Sequence, residues 1–436
     1  MTSLLTKITR VKKFLFAFLL SFIVSNLLAQ PGGLLSTSRM DLEGAHMSAE
    51  RLDRIDKTVQ SYIDQKWLAG AVALVYRNGS LAYYKAFGAD DMEKNTRMHK
   101  DGIFRLASQT KAIVSAAVLI LYEDGKLLLD DPVSKYIPEF KNQKVLDHYN
   151  ATDTTYTTVP AKREITIRDL LTHSSGIGYA AIGTPEMRAI YAKNNITSGL
   201  GVIDASLLDR MKVLGGLPLQ FQPGEKWMYG LNTDLLGCLV EVISGMSLED
   251  FIRKNITDPL GMRDTYFNLP AEKANRLTVV YTEDNQHQII KWDVHHLGVD
   301  PGYPLATKHY FSGGAGLSST AYDYAIFLQM ILNGGIYNNH RILSPRIVDM
   351  MTHSQLDFTF DGVNDFGLGF EVVTEKGSMK QPWNKGSISW GGYFGTSYWA
   401  DPKEHLVCLF MTQQSPNSHP EIAEKFKVLV YQAITN

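Results

Sequence analysis

The stretch Ser108-Gln109-Thr110-Lys111 opens an apolar run that continues through Leu121. A run of this length and composition is typical of a buried helix. Residues three apart lie on one face of a helix, so the amine of Lys111 should sit one turn along from the hydroxyl of Ser108. A lysine in apolar surroundings can accept or relay a proton, and a helix N-terminus favours negative charge developing near it. The tetrad therefore predicts an activated serine nucleophile.

Further motifs follow the tetrad along the chain. They read Thr166-Ile167-Arg168-Asp169-Leu170-Leu171-Thr172-His173-Ser174-Ser175-Gly176, then Pro223-Gly224-Glu225-Lys226-Trp227-Met228-Tyr229, and then Gly313-Gly314-Ala315-Gly316-Leu317-Ser318-Ser319-Thr320. In this order they closely resemble the serine β-lactamase-related superfamily, the branch that holds class C β-lactamases, D-alanyl peptidases and esterases of the same fold. The resemblance runs from about Met47 to about Gln414.

The fold implied by this resemblance is β-lactamase/transpeptidase-like. It is an α/β (α+β) arrangement, with an antiparallel sheet flanked by helices and an inserted, mostly helical domain. The residue pattern points the same way, because a β-hairpin is predicted around Asn78-Gly79 and further strands between residues 366 and 411. Strands at both chain ends with helices between them predict one sheet built from both ends. The predicted catalytic domain spans residues 48–436, with its helical part at roughly 120–300.

The N-terminus has the pattern of a secretory signal peptide over residues 1–29. Basic residues lie between Lys7 and Lys13, an apolar stretch follows from Phe14 to Leu28, and Ala29 precedes the expected cleavage point. The alternative is an uncleaved membrane anchor, but the stretch is short for a span and contains polar residues. We therefore expect an exported protein, periplasmic or secreted, with no stable membrane anchor after cleavage and a mobile leader at 30–47.

Composition limits the partners and cofactors. Removal of residues 1–29 takes away four positive charges and moves the formal charge from −2 to −6, which argues against nucleic-acid binding. The two cysteines, Cys238 and Cys408, are expected to be buried free thiols, with a disulfide bridge between them as the alternative. The pair His295-His296 has no recognisable metal-ligand spacing, so no metal and no cofactor are expected. The oligomeric state is left open.

The resemblance gives Tyr229 a catalytic role. In this family the tyrosine of a Tyr-x-Asn triplet points at the serine as a base or proton relay, with the lysine holding it partly as phenolate. Here the triplet reads Tyr229-Gly230-Leu231, and Asn232 comes one place late. The tyrosine is matched and the asparagine is not. The alternative is a tyrosine hydrogen-bonded in the core.

The triplet Trp390-Gly391-Gly392 stands where β-lactamases and peptidases of the family carry Lys-Thr-Gly, and some esterases of the fold carry Trp-Gly-Gly. Glycines let a backbone approach a substrate closely. The resemblance places the two N–H donors for the oxyanion on Ser108 and on Tyr393. A simple bulge or turn is the alternative.

The function predicted from these features is that of an exported serine hydrolase that acts through an acyl-enzyme. Trp390 lacks the cation that would bind the carboxylate of a β-lactam or a peptide C-terminus, which favours an esterase on small neutral acyl esters. The alternatives are a β-lactamase or D-alanyl peptidase/amidase, and a non-catalytic ligand-binding protein of the same fold. His173 could be a general base, but its segment recurs in the family as structure, and Lys111 with Tyr229 already accounts for proton transfer.

Overall fold

A computed structural model of the protein describes residues 35–293 and 298–436. The predicted signal peptide and the pair His295-His296 lie outside these residues. The helices are α1 (Ala49–Asp64), α2 (Thr110–Glu123), α3 (Ile167–Leu171), α4 (Pro185–Lys193), α5 (Leu207–Gly215), α6 (Asn232–Ser244), α7 (Leu248–Ile252), α8 (Asp258–Leu260), α9 (Ala321–Leu332), α10 (Pro345–Met351), α11 (Glu375–Ser378) and α12 (Ile422–Tyr431).

The strands are short except for the first hairpin. They are β1 (Gly70–Arg77), β2 (Ser80–Asp91), β3 (Thr96–Arg97), β4 (Phe104–Arg105), β5 (Lys144–Tyr149), β6 (Tyr156–Pro160), β7 (Tyr281–Glu283), β8 (Ile289–Lys291), β9 (Ser318–Ser319), β10 (Ile336–Tyr337), β11 (His340–Arg341), β12 (Asp365–Phe366), β13 (Glu371–Val372), β14 (Ile388–Gly391), β15 (Ser397–Asp401) and β16 (Leu406–Met411).

One antiparallel sheet of eight strands organises the molecule, in the order β12-β13-β14-β15-β16-β1-β2-β3. The last long strand, β16, pairs with the first, β1, so that Val72 lies opposite Met411 and Arg77 opposite Leu406. Strands from the two chain ends therefore meet at the centre of the sheet. This confirms the predicted α/β fold with an antiparallel sheet flanked by helices.

Both faces of the sheet are covered, as the sequence of β1 requires. All of its residues are buried, and alternate side chains enter two different hydrophobic clusters. Val72 and Leu74 pack on the face that holds α2 and α9, while Ala73 and Val75 pack on the face that holds α1 and α12. Helix α2 is buried on nearly all sides, which is what an uninterrupted apolar run predicts.

The described part of the predicted leader, residues 35–47, contacts the folded domain at its two ends. Leu35 is buried and its backbone N–H donates to the hydroxyl of Tyr337 at 2.9 Å. Met47 is buried and forms a β-bridge with Ile434 near the chain end. Between them Met40 is exposed, and the mobility of the leader stays a prediction.

The helical part lies between β4 and β9 and includes α2 to α8 with two small hairpins, β5–β6 and β7–β8. Cys238 lies in α6 and Cys408 in β16, in different hydrophobic clusters, and both are buried free thiols. Within the described ranges, no helix is long and apolar enough to cross a membrane.

Candidate active site

Ser108 lies in a short 3-10 turn directly before α2, and the chain around it is held from several sides. Ala107 has a φ of +45°, a conformation that non-glycine residues rarely adopt and that is sustained only by surrounding contacts. Tyr324 donates its hydroxyl to the carbonyl of Gln109 at 2.8 Å, and the N–H of Leu317 donates to Thr110 Oγ1 at 3.1 Å. The serine is thus presented, half-buried, on a rigid turn.

Lys111 is only 3% exposed and lies one helical turn along from the serine, as its spacing predicts. Its Nζ donates to Ser108 Oγ at 3.3 Å, to the carbonyl of Gly314 at 2.8 Å and to the hydroxyl of Tyr179 at 3.1 Å. Three acceptors match the three N–H groups of an ammonium. The geometry therefore suits a protonated lysine aimed at the nucleophile.

Tyr229 lies against the same lysine, but through its ring. The Nζ of Lys111 is 4.5 Å from the ring centroid, within the range of a cation–π contact. The hydroxyl of Tyr229 accepts a long hydrogen bond of 3.4 Å from Trp390 Nε1. Ser108, Tyr229 and Trp390 line one cavity. The structure thus brings the predicted residues together, while their catalytic roles stay predictions.

Tyr179 is the site residue that sequence reasoning missed. It is buried beside Tyr229, with ring centroids 5.3 Å apart, and its hydroxyl bonds to Lys111. Burial, reinforced by the charges of Tyr229 and Asp234, raises its pKa well above the usual range, so it stays a neutral phenol. Its position three residues after the Ser-Ser-Gly motif was the available signal, and that signal does not single out one tyrosine among 21.

Asn232, which comes one place later than the asparagine of the family's triplet, has a structural role. Leu231 is fully buried, and Asn232 begins α6, where its amide donates to His173 Nδ1 at 2.9 Å and its carbonyl accepts from Ser175 Oγ. Asn232 therefore braces the loop of the His-Ser-Ser-Gly motif. Burial and the charge of Lys111 hold the pKa of His173 well below its usual range, so the ring is neutral.

The strand that carries Trp390 ends against the segment that leads into the nucleophile. The N–H of Gly392 donates to the carbonyl of Thr396 at 2.7 Å, closing a tight turn that contains Tyr393. A Cβ at Gly392 would lie 2.3 Å from the carbonyl oxygen of Leu106 and 2.2 Å from Thr396 Oγ1. Only glycine fits this close approach, which brings the two segments proposed to donate to the oxyanion into contact.

Aromatic side chains surround Trp390, and we call this group the aromatic wall. Its members are Trp227, Tyr229, Phe360, Phe366 and Trp390. Ring centroids lie 5.6 Å apart for Trp390 and Tyr229, 5.5 Å for Trp390 and Phe366, and 4.9 Å for Trp227 and Phe360. These separations are normal for packed aromatic pairs. The wall fixes the orientation of Trp390 and makes this side of the site apolar.

The cavity has a volume of about 450 Å³, and its far end holds the charged groups. There Lys427 donates to Gln381 Oε1 at 2.9 Å and to Glu424, and its Nζ lies 3.6 Å from the ring centroid of Trp383. Burial lowers the pKa of Lys427 and raises that of Glu371 beside it. Within residues 35–293 and 298–436, no group of three or more His, Cys, Asp or Glu side chains could hold a metal ion.

Comparison with known proteins agrees with this geometry. A family model described as Beta-lactamase matches residues 55–432. Protein Rv1367c of Mycobacterium tuberculosis is 34% identical over 381 residues, which cover 84% of this chain and 91% of the relative. Esterase EstB of Burkholderia gladioli is 30% identical over 391 residues, covering 87% and 93%.

A solved structure of EstCE1, a hydrolase with promiscuous acyltransferase activity, matches with a TM-score of 0.76 at 24% identity. The match covers 88% of this chain and 99% of that one, and it confirms the β-lactamase/transpeptidase-like fold. Because the family model spans most of the sequence, this chain belongs to the β-lactamase family and is a serine hydrolase.

Proposed function

We propose that the protein is an exported esterase that cleaves small neutral acyl esters through an acyl-enzyme on Ser108. The observation that carries this proposal is the neutral character of the cavity beside the nucleophile, where Trp390 stands in place of a cation. The proposal rests on the roles that the family resemblance assigns to Ser108, Lys111 and Tyr229.

The charges in the cavity are unsuited to an anionic substrate. All three N–H groups of Lys111 have acceptors in the protein, and Lys427 is bound to Gln381 and Glu424 at the far end. Trp390 directs its N–H at Tyr229, which leaves its ring to face a substrate. Among the described residues that line this cavity, no cation is free to pair with a carboxylate, which would lose its hydration on entering.

Apolar groups fit the same surface better. Two members of the aromatic wall, Tyr229 and Trp390, line the cavity together with Ser108, and burial of apolar surface contributes roughly 25 cal/mol per Å². A short acyl chain or an aryl leaving group can gain from this contact with no change in charge. The 30% identity to a protein named Esterase EstB supports ester hydrolysis.

The chemistry uses the groups already described. Ser108 Oγ attacks the ester carbonyl carbon, and its proton passes to the pair formed by Lys111 and Tyr229. The N–H groups of Ser108 and Tyr393 hold the negative charge that develops on the carbonyl oxygen. Collapse of the tetrahedral intermediate releases the alcohol, which takes the proton, and water then attacks the acyl-enzyme to release the acid.

A substrate panel tests the proposal. It contains short-chain chromogenic esters, a chromogenic cephalosporin and a D-Ala-D-Ala peptide, with the Ser108→Ala variant as the matched control for hydrolysis that does not use the site. We expect the highest kcat/KM for a neutral ester. A higher kcat/KM for the cephalosporin or the peptide would make the protein a β-lactamase or a peptidase, and no turnover of any of them would favour a ligand-binding protein.

Export is the second part of the proposal and rests on the pattern of residues 1–29. We expect the mature protein to be recovered from the periplasm or the medium, with Gln30 at its N-terminus. Cell fractionation with N-terminal sequencing checks this. A protein found only in the cytosol with residues 1–29 intact would contradict it.

A further inference from the structure

A buried carboxylate lies behind the catalytic lysine. Asp234 is in the first turn of α6 and is 0% exposed. Its Oδ1 accepts a hydrogen bond of 2.7 Å from Ser312 Oγ. Its Oδ2 has no hydrogen-bond partner of good geometry among the described residues, although the backbone N–H of Gly314 is near enough to lower the pKa of Asp234. A buried polar atom of this kind calls for an explanation, because leaving it unpaired is unfavourable.

Asp234 Oδ2 lies against Gly314, in the layer that also holds the lysine. A Cβ at Gly314 would lie 2.4 Å from Asp234 Oδ2 and 2.9 Å from the hydroxyl of Tyr179. The carbonyl of the same glycine accepts from Lys111 Nζ, and so does that tyrosine hydroxyl. Asp234, Tyr179 and Lys111 therefore meet around one glycine, which leaves them the space that a side chain would fill.

The charges of these groups are complementary. Lys111 is almost completely buried, and in the described part of the chain no carboxylate lies within ion-pair distance of it. A buried ammonium is unstable without a nearby negative charge. Asp234 is the acidic group of this layer. Burial raises its pKa to about 6, against the opposing effects of Ser312 and Lys111, so the carboxylate is mostly ionised at neutral pH.

We propose that Asp234 is a positioning residue, the buried counter-charge that keeps Lys111 protonated and its amine directed at Ser108. It acts through Lys111 and does not touch the substrate. The proposal rests on the part of the proposed function in which Lys111 and Tyr229 move the proton. It does not depend on which acyl substrate the enzyme takes.

Three other titratable groups near Lys111 and Asp234 do not change their charge in the alkaline range, where the effect of Asp234 is to be measured. The pKa values of Tyr179 and Tyr310 are raised well above the usual range by burial, so both stay neutral. His173, also beside the lysine, has a pKa well below its usual range and is neutral as well.

Removal of the negative charge of Asp234 should change the pH dependence of the reaction in one direction. A negative charge near Lys111 and Tyr229 favours the protonated form of this pair, so the pair should lose its proton at lower pH when the charge is removed. The rate of labelling of Ser108 by a fluorophosphonate, measured against pH, reports this loss without the need for a known substrate. In Asp234→Asn we expect the alkaline limb to move to lower pH by about one pH unit or more.

The matched control is Asp323→Asn. Asp323 is also a buried aspartate in the first turn of a helix, α9, and its carboxylate bonds to the N–H of Asp264 and to Thr265. This variant should leave the alkaline limb where it is. A lower labelling rate in Asp234→Asn with an unmoved limb would overturn the proposal, because a merely structural role changes the height of the profile only.

A second measurement uses Lys111→Met and follows the protonation of Asp234, so it does not require Asp234→Asn to fold. Removal of the cation in Lys111→Met should raise the pKa of Asp234, since coupling between two sites is reciprocal. The infrared difference spectrum at neutral pH, Lys111→Met minus wild type, should then show the carbonyl stretch of a protonated carboxyl group. A folded variant without this band would overturn the proposal. Failure of the ester preference in the substrate panel would leave both readouts unaffected.

Discussion

Gly392 offers the sharpest test of the site's geometry, because one of the two atoms nearest to a Cβ there is a backbone carbonyl oxygen, which cannot rotate away as the Thr396 side chain can. An alanine Cβ there would lie 2.3 Å from the carbonyl oxygen of Leu106, two residues before the nucleophile. Ordinary contact begins near 3.4 Å, so one of the two segments must shift by about 1 Å. Gly392 has no positive φ, so the backbone conformation itself accepts alanine and the contact is the source of the effect.

The magnitude follows from what that shift disturbs. The N–H groups assigned to the oxyanion lie on Ser108 and Tyr393, on either side of this contact. Misplacing reacting groups by 1 Å costs roughly 10²-fold, and losing one oxyanion donor costs about 10² to 10³-fold in kcat. We therefore expect Gly392→Ala to lower kcat by about 10²-fold. The overpacked contact should also cost about 1–3 kcal/mol of unfolding free energy.

Gly391→Ala is the matched comparison. Its Cβ would lie 3.3 Å from the carbonyl of Thr396, a contact that needs little adjustment, so we expect a loss of less than about tenfold. The assay is kcat on a neutral chromogenic ester, with urea unfolding of each variant to measure stability. If Gly392→Ala folds and keeps kcat within about threefold of wild type, the two segments do not form the oxyanion site as described.

Three further predictions concern the neighbouring side chains. Lys111→Met and Tyr229→Phe should each lower ester turnover at least ~100-fold with the circular dichroism unchanged, since each removes a proton-transfer group; a near-normal Tyr229→Phe would make that tyrosine structural. Trp390→Lys should favour a cephalosporin over a neutral ester, because the new lysine can form an ion pair with the carboxylate of the cephalosporin. A partly exposed ion pair of about 1 kcal/mol would raise the ratio of the two kcat/KM values about five- to tenfold. An unchanged ratio in a folded variant would contradict the esterase proposal. His173→Ala should lower the free energy of unfolding by about 1–3 kcal/mol, because the amide of Asn232 loses its buried hydrogen-bond acceptor. The variant should still react with a fluorophosphonate. A stable variant that no longer reacts would assign His173 a part in the chemistry.

Local signals in the sequence were enough for several elements. Asn78-Gly79 predicted a hairpin turn, and both residues have positive φ between β1 and β2. A glycine after an apolar helical run is a common helix end, and Gly245 closes α6 in the left-handed conformation. The apolar run after Ser108 predicted α2. In each case the information lies within a few residues, where backbone preference and periodicity act.

What the sequence did not reveal depends on contacts between distant residues. Tyr179 lies 68 residues from Lys111, and Gly314 lies 203 residues from it, yet both bond to its amine. No motif singled out Asp234, which lies 123 residues from Lys111. The strand order at the β12 edge and the packing of residues 35–47 are likewise set by tertiary contacts. No local periodicity encodes which distant side chains meet, so these features needed the folded chain.

The intact mass of the protein after reaction with a fluorophosphonate tests most directly whether Ser108 carries the covalent intermediate. We expect a single adduct on the wild type and none on folded Ser108→Ala, because Ser108 is the serine of the described cavity lining whose hydroxyl is hydrogen-bonded to Lys111. Labelling that persists in Ser108→Ala would contradict this role of Ser108.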